Sequence, residues 1–304
     1  MKQPAIKIIL LKIFLLSALS LFLLNACTTV PFTGRQQLSM LPESQEMAMG
    51  YQTFKEVQRR FRTSPDPVLN DQINRVGRRI AAAANRPDFH WEFQVFQDDK
   101  TANAFCLPGG KVGIFTCMFK YLRSEGELAT VIAHEAAHAL ARHSGERYSQ
   151  AMLAQLGGMG LSLGLAGVNP MAGGAIMTGY ELGANLGFLL PYSRKQETEA
   201  DQIGMILMAK AGFDPALALD FWRQWTTRKK EKSAPPQFLS THPSDETRIR
   251  DPDPGYYFIP AGGQKILYSA RLSKRKQGDK GKKWKIFKIM LAVAARPGNF
   301  AGPF

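Results

Sequence analysis

The sequence lacks several patterns that would identify common kinds of protein. It has no internal repeat of the tetratricopeptide kind, and the chain after residue 250 leaves no room for one. It has no nucleic-acid recognition motif, so we expect no nucleic-acid partner. Cysteine is scarce, with three in 304 residues. Two of them, Cys106 and Cys117, lie in the predicted folded region, where the sequence is equally compatible with one disulfide and with two buried thiols.

Acidic charge is also scarce, because 25 Asp and Glu residues face 39 Lys and Arg, which gives a net charge of +14. Three lysines lie near the N-terminus, and residues 271–304 hold ten basic residues against one acid, so the rest of the chain carries only about +2. Residues 282–289 of this basic tail could lie on anionic lipid as an amphipathic segment. A solvated, disordered tail explains the composition equally well.

The first 26 residues have the features of a bacterial lipoprotein signal peptide. Lysines precede an uncharged apolar stretch at 13–24, which is shorter than the roughly 20 residues of a membrane-spanning helix. The run Leu24-Asn25-Ala26-Cys27 predicts cleavage before Cys27 and lipidation of its thiol, with residues 27–42 as a linker. Thr28, in place of an aspartate, favours the periplasmic face of the outer membrane. An uncleaved anchor and an ordinary signal peptide are the alternatives.

The most informative pattern is His-Glu-Ala-Ala-His from His134 to His138, an H-E-x-x-H motif in a segment with helical features. Ser124 and Glu127 match a capping box that predicts a helix start. Apolar residues then recur at helical spacing, namely Leu128, Val131, Ile132 and Leu140. Since residues four apart share one helical face, both imidazoles could bind one Zn²⁺, with Glu135 as general base. The motif therefore predicts one zinc ion per chain and peptidase activity.

A third protein ligand is expected, because catalytic zinc sites use three and leave one position open. Glu197 and Asp201 are four apart on a predicted helix, so Glu197 could complete the set while Asp201 accepts a ring N–H from a ligating histidine. An acidic helix start without a metal is the alternative for this pair taken alone. His143 lies about 140° round the helix from His138, which predicts a structural hydrogen-bonding role and no metal contact.

The remaining patterns predict an α+β fold that is mainly helical, with a small sheet beside the active-site helix. An alternating strand at 91–95 is followed by an extended segment, Asn103-Ala104-Phe105, and by a returning strand over 111–116. An edge strand beside a metal could pair with substrate backbone. Residues 148–190, rich in Gly and Met, predict an apolar lid or hairpin that could also contact lipid. The predicted peptidase domain spans 43–270, and the tail follows it.

These motifs together resemble a family of zinc metallopeptidases that includes the CAAX prenyl proteases, mitochondrial Oma-type peptidases and bacterial periplasmic lipoprotein peptidases. The matching residues lie within roughly residues 35–250 and are Asn103-Ala104-Phe105, Leu107-Pro108-Gly109-Gly110, His134 to His138, Ala141-Arg142-His143, Ser193-Arg194, Glu197 to Asp201, Thr241-His242-Pro243 and Arg248-Ile249. The resemblance implies a gluzincin fold in which His134, His138 and Glu197 bind the metal and Glu135 is the general base.

The resemblance also implies that His242 and Arg248 line the cleft and steady the oxyanion or the substrate carbonyl. His242 could instead bind the metal reversibly in a latent enzyme, or be a surface histidine. Arg248 could instead pair with Asp245 or Glu246.

The function implied by the resemblance is that of a periplasmic, membrane-anchored zinc endopeptidase that hydrolyses protein or peptide substrates in envelope quality control. The alternative is a latent or non-cleaving chaperone or scaffold lipoprotein for outer-membrane protein assembly. A prenyl-peptide protease would need several spanning helices, which the sequence lacks. The sequence does not indicate the cleavage specificity or the oligomeric state.

Overall fold

The computed structural model describes residues 27–165, 192–230, 257–261, 264–268 and 292–293, together with Phe238 and His242. The predicted signal peptide, Arg248 and residues 166–190 of the predicted lid lie outside the described residues. The chain divides into two compact units, residues 1–244 and 245–304. The fold is α+β and mainly helical across the described residues, which confirms the prediction.

The first unit combines a short hairpin, a three-stranded sheet and a set of helices. In chain order its described elements are β1 (Cys27–Thr29), β2 (Gln36–Leu38), α1 (Glu43–Arg60), α2 (Pro67–Ala84), β3 (Glu92–Phe96), β4 (Ala104–Leu107), β5 (Lys111–Phe115), α3 (Thr116–Phe119), α4 (Glu125–Leu140), α5 (His143–Leu165), α6 (Arg194–Lys210) and α7 (Ala216–Lys230). The predicted helices and strands of this region are therefore present, with boundaries that shift by a few residues.

Helix α4, which carries the H-E-x-x-H motif, runs through the interior of the first unit. Every residue from Gly126 to Leu140 is buried. Ser124 caps the helix as predicted, because its hydroxyl accepts the backbone N–H of Glu127 at 3.2 Å. The other half of the predicted capping box differs, since the Glu127 carboxylate accepts the backbone N–H and guanidinium of Arg123. Burial on all sides fixes the helix and therefore the direction of its histidines.

Helix α6 packs directly against α4 and brings the second half of the predicted site. A complete capping box of Ser193 and Gln196 starts this helix. The two helices can approach closely because Gly204 has no side chain. A Cβ on Gly204 would lie 3.3 Å from both the carbonyl carbon of Ala133 and the backbone nitrogen of His134.

The sheet beside α4 has the strand order β3-β5-β4. Strand β5 pairs in parallel with β3 and antiparallel with β4, which confirms the predicted returning strand. Strand β5 is the central strand because it pairs with a neighbour on each side, and all five of its residues are buried. Among the described residues β4 lies at one edge of this sheet and packs against α4.

Two aromatic clusters fill the core on different sides of the first unit. The cluster between α1 and the sheet consists of Phe54, Phe61, Phe96, Phe105 and Phe115. The cluster around α7 consists of Phe221, Trp222, Trp225 and Phe238. Both tryptophans of this cluster are buried. Cys106 and Cys117 are both free and buried, so the structure contains two thiols at these positions.

The segment after Cys27, which the sequence suggests to be a linker, contains the β1–β2 hairpin. Its strands are antiparallel, with Cys27 opposite Leu38. The Gln37 side chain donates from Nε2 to the carbonyl oxygen of Ala141 at 2.7 Å. Directly after the hairpin, the backbone N–H of Met40 donates to Ser149 Oγ at 2.9 Å. The hairpin is therefore held against the end of α4 and the start of α5.

The second unit contains an antiparallel sheet of β6 (Tyr257–Ala261), β7 (Gln264–Tyr268) and β8 (Ala292–Val293), with β7 in the centre. Strand β8 falls within the segment 271–304 that the sequence suggests to be a tail. Among the helices described here, none combines the length and the apolar composition that a membrane crossing requires.

Candidate metal centre

Four buried side chains converge where α4 meets α6. Helix α4 contributes His134 and His138, helix α6 contributes Glu197, and His242 comes from a later part of the chain. Each offers one ligand atom, and these atoms all lie within 4.8 Å of one another. The Nε2 atoms of His134 and His138 are 3.1 Å apart. The fold thus brings together the three predicted ligands and His242, although they are distant in sequence.

Glu197 faces both histidines of the motif. Its two carboxylate oxygens lie 3.4 Å from Nε2 of His134 and 3.4 Å from Nε2 of His138. Burial alone would raise the pKa of Glu197, but the adjacent imidazoles of His242, His134 and His138 hold it well below its ordinary value. Burial also lowers the pKa of His138 well below its ordinary value. An anionic carboxylate and a neutral imidazole are the forms that bind a metal.

The chemistry of these donors fits a divalent metal of the zinc type. Imidazole nitrogen and carboxylate oxygen are both common zinc ligands, and catalytic centres use three protein donors with one position open. His134, His138 and Glu197 supply such a set in a pocket closed to solvent, since each is at most 2% exposed. His242 is a fourth donor within the same 4.8 Å limit.

Asp201 lies behind His134, as the four-residue spacing from Glu197 predicts. Its Oδ1 is 2.9 Å from His134 Nδ1, on the opposite side of the ring from the cluster. Burial by itself would lower the pKa of His134, but the hydrogen bonds to Asp201 and Glu197 raise it to about 9. This contact can fix the orientation of the imidazole, and a metal that binds at Nε2 would displace the proton from that nitrogen.

Glu135 lies beside the cluster and contacts His242. The Oε1 atom of Glu135 is 3.2 Å from Nε2 of His242. The other ring nitrogen of His242, Nδ1, lies 3.1 Å from Glu197 Oε1 and 3.3 Å from His134 Nε2. His242 is therefore placed between the predicted general base and the predicted ligands.

Two aromatic rings cover the histidines. Tyr192, for which no site role was predicted, stacks on His138 with ring centroids 3.7 Å apart. Trp222 lies edge-on to His134 at 5.2 Å. Burial raises the pKa of Tyr192 to about 12, so its hydroxyl stays protonated. The position of Tyr192 directly before the α6 capping box gives no sequence signal for this stacking.

A second hydrogen-bonded chain leads away from His138. Its Nδ1 lies 2.8 Å from Nδ1 of His143, whose Nε2 lies 2.9 Å from Glu199 Oε2. Arg35 Nε donates to the same Glu199 oxygen at 2.7 Å, and Thr33 Oγ1 donates to Oε1 at 2.5 Å. Burial would raise the pKa of Glu199, but the hydrogen bonds from His143, Thr33 and Arg35 lower it to about 2.

The structure confirms that His143 is a hydrogen-bonding residue. The roles of Arg35, Thr33 and Glu199 were not predicted. Glu199 could have been suspected from its place between Glu197 and Asp201, but no spacing rule connects residue 35 with residue 199.

The predicted substrate-binding segment lies at the sheet edge described above. Ala104 and Phe105 belong to β4, and Asn103 precedes it with its carbonyl oxygen accepting the N–H of Phe115 at 3.1 Å. Cys27 is exposed at the start of β1. Arg248 lies outside the described residues.

Comparison with known proteins identifies a family that matches the chain. Residues 67–252 match the family model for peptidase family M48, a range that includes all four residues of the cluster. The mitochondrial metalloendopeptidase OMA1 of Schizosaccharomyces pombe is 36% identical over 226 residues, which cover 73% of this chain and 64% of the relative. The beta-barrel assembly-enhancing protease of Escherichia coli K12 is 32% identical over 231 residues, covering 75% and 47% respectively.

A third relative, the OMA1 metalloendopeptidase of Saccharomyces cerevisiae, is 31% identical over 253 residues, which cover 76% of this chain and 70% of the relative. The chain thus spans between about half and about two thirds of the length of these three relatives.

Proposed function

Because the chain belongs to peptidase family M48, we propose that it is a zinc-dependent endopeptidase whose metal is held by His134, His138 and Glu197. The convergence of these three side chains from two helices carries the proposal. Relatives named as metalloendopeptidases and as an assembly-enhancing protease support the same activity. The donor set fits zinc better than a hard cation such as magnesium, because two of the three ligands are imidazoles.

The chemistry divides between the metal and the protein. The metal, when bound, supplies Lewis acidity that polarises a peptide carbonyl and lowers the pKa of the attacking water. Glu135 accepts the proton of that water at its carboxylate and delivers it to the nitrogen of the leaving amine. Its burial beside the ligands keeps the carboxylate within reach of the reacting atoms. Asp201 and His143 hold the two ligating imidazoles in orientation.

The position of His242 supports a latent state. A fourth imidazole among the ligands would occupy the position that a catalytic centre leaves open. Nε2 of His242 also contacts Glu135, and a carboxylate held in this contact would not accept the proton of the attacking water. We therefore assign His242 to a reversible fourth-ligand role and expect catalysis to begin when it withdraws. Arg248 is assigned to the cleft, where its guanidinium would steady the oxygen of the substrate carbonyl.

The edge strand β4 is the proposed docking strand for substrate. An extended peptide added to Asn103, Ala104 and Phe105 would continue the sheet and run beside α4. Binding through backbone hydrogen bonds requires no free terminus, which favours cleavage within a chain over removal of terminal residues.

The proposed location is the periplasmic face of the outer membrane, with a lipid on Cys27. The N-terminal sequence pattern and the exposure of Cys27 support it, and the name of the assembly-enhancing protease suggests envelope proteins as substrates. Quality control of envelope proteins is the proposed pathway. The basic tail at 271–304 is a second candidate membrane contact.

The decisive test compares Glu135→Gln with the unmodified chain. We expect the variant to bind one zinc ion per chain by elemental analysis but to lose cleavage of casein, because the amide cannot accept the proton. Glu125→Gln, an exposed substitution at the start of the same helix, is the control and should cleave normally. Undiminished proteolysis by Glu135→Gln would refute the mechanism, and an empty site in the unmodified protein would refute the metal assignment.

The alternative function is that of a chaperone or scaffold that holds envelope proteins without cutting them. The location of His242 in the cluster favours this reading in one respect, because a site that His242 holds latent cleaves slowly. His242→Ala separates the two: the endopeptidase proposal expects faster casein cleavage that a chelator abolishes. If neither the unmodified chain nor this variant shows chelator-sensitive cleavage, the endopeptidase proposal is rejected and the chaperone or scaffold function is supported.

A further inference from the structure

The two histidines of the motif are held from behind in different ways. His134 meets a carboxylate directly, with Nδ1 2.9 Å from Asp201 Oδ1. His138 meets a second imidazole, with Nδ1 2.8 Å from Nδ1 of His143. The carboxylate in this second arrangement, Glu199, lies one residue further out and receives His143 Nε2 at 2.9 Å. A carboxylate therefore holds the ring of His134 directly, whereas a carboxylate holds the ring of His138 through the imidazole of His143.

The direction of the hydrogen bonds follows from the ligand atom. His138 Nε2 faces His134 and Glu197, so this nitrogen must carry no proton when it binds a metal. Its Nδ1 then carries the proton and donates to Nδ1 of His143. That nitrogen accepts, so His143 is protonated at Nε2 and donates to Glu199. Each member of the chain fixes the tautomer of the one before it.

Glu199 is itself fixed by the β1–β2 hairpin. Arg35 donates from Nε to Glu199 and from its two terminal nitrogens to Glu146, at 2.7 and 2.9 Å. Gln196 Nε2 donates to the same Glu146 at 2.8 Å. A guanidinium that bridges two carboxylates in a fork geometry holds both in one orientation. Only 14% of the Arg35 side chain is exposed, so solvent competes weakly for these bonds.

The hairpin has a defined position from which Arg35 can act. Val30 is buried, and Gln37 is bonded to the carbonyl of Ala141 at the end of α4. Arg35 is therefore presented by a segment that already contacts the helix carrying His138.

We propose that Arg35 is a positioning residue of the metal centre, acting through Glu199 and His143 to set the tautomer and orientation of His138. The proposal rests on the proposed function, because it assumes that His138 binds the metal. It follows that the segment directly after Cys27 contributes to the active site and is more than a linker.

The rival explanation is that Arg35 only fastens the hairpin. Metal affinity separates the two explanations, because support behind a ligating histidine typically changes metal affinity by about 10- to 100-fold. An ion pair that contributes only to stability leaves the affinity of the folded protein unchanged. The measurements are the zinc dissociation constant by chelator competition, the visible spectrum of the cobalt(II) form, and the melting temperature of the full chain.

Three variants test the chain of contacts. Arg35→Ala and Glu199→Gln should each weaken zinc binding by about 10- to 100-fold and change the cobalt spectrum. The double variant should bind zinc no more weakly than Glu199→Gln alone, since both changes break one chain. Arg86→Ala is the control: its half-buried ion pairs with Glu43 and Asp88 involve no residue of the cluster and none of the chain from His138 to Arg35, so zinc affinity should stay the same.

A small-molecule rescue adds a direct readout of the guanidinium. An open surface cavity of about 450 Å³ is lined by Glu199, by the polar residues Thr33, Thr198 and Gln202, and by the cationic residues Arg35, Arg194 and Lys195. In Arg35→Ala, added guanidinium ion at concentrations too low to denature should enter this space and restore part of the zinc affinity. The same addition should not affect Glu199→Gln, which lacks the carboxylate.

The outcomes are distinct. Unchanged zinc affinity and an unchanged cobalt spectrum in Arg35→Ala, while the unmodified chain binds one metal, would overturn the positioning role of Arg35 and leave the proposed function intact, whatever the result for Glu199→Gln. Failure of the unmodified chain to bind metal would overturn both. Should Arg35→Ala not fold, Arg35→Lys decides: weakened zinc binding in this folded variant supports the role of Arg35, and normal binding rejects it.

Discussion

The crossing of α4 and α6 at Gly204 makes a sharp prediction, because this glycine controls the distance between the two halves of the metal centre. A Cβ at this position would meet backbone atoms of Ala133 and His134 at 3.3 Å, closer than ordinary contact. Gly204 lies about two turns after Glu197 on the same face of α6. Any side chain here must therefore push α6, and with it Glu197, away from the histidines.

The substitution Gly204→Val allows the size of the effect to be worked out. Valine adds methyl groups beyond the Cβ, and overpacking of this kind costs about 1–3 kcal/mol. The better helix propensity of valine recovers only about 0.3–0.5 kcal/mol. We expect a net loss of about 1.5 kcal/mol, which lowers the melting temperature by roughly 3–6 °C in a unit of this size. Zinc affinity should fall as well, since Glu197 is displaced from its partners.

Thermal unfolding and chelator competition on the same samples measure both effects. Gln202→Val is the matched control, because it places the same residue on an exposed position of α6. A Gly204→Val protein that melts and binds zinc like the unmodified chain would show that the helices do not need this close approach, and the account of how the site is assembled would be wrong.

Two further predictions concern the carboxylates behind the ligands. Asp201→Asn should weaken zinc binding about 10-fold or more with little loss of fold, because His134 Nδ1 loses its anionic partner; unchanged affinity by chelator competition would contradict this. The Glu199 pKa is about 2 against an ordinary 4.5, so its contribution to stability is complete above pH 4.5 and is lost as the pH falls towards 2. Denaturant unfolding of metal-free protein should therefore show a steeper acid loss in the unmodified chain than in Glu199→Gln, and equal slopes would refute the assignment.

The parts of the site that could be predicted are those that repeat with the period of a helix. His134 and His138 are four apart, as are Glu197 and Asp201, and this spacing alone places each pair on one face. The structure brings these residues together with His242. The fold class followed from the same kind of pattern, since alternation predicted the strands and apolar spacing predicted the helices. Which of the converging donors hold the metal stays a prediction.

The parts that could not be predicted depend on contacts between side chains far apart in the sequence. Tyr192 and His138 are far apart in the sequence, and no local pattern indicates that their rings stack. The same holds for the Glu127 carboxylate, which follows the capping-box pattern but bonds to Arg123 because that guanidinium lies within reach.

The hairpin after Cys27 is the strongest case, and the reason is physical. Its strands are three residues each, too short for a recognisable alternation. Threonine, proline and glycine in the segment are typical of a linker. Its position is fixed instead by buried polar contacts, above all the bridge from Arg35 to Glu146 and Glu199. Burying the charges of this bridge costs desolvation free energy, which is offset only when every partner is present. The position of the hairpin therefore depends on the packing of α5 and α6, which carry Glu146 and Glu199.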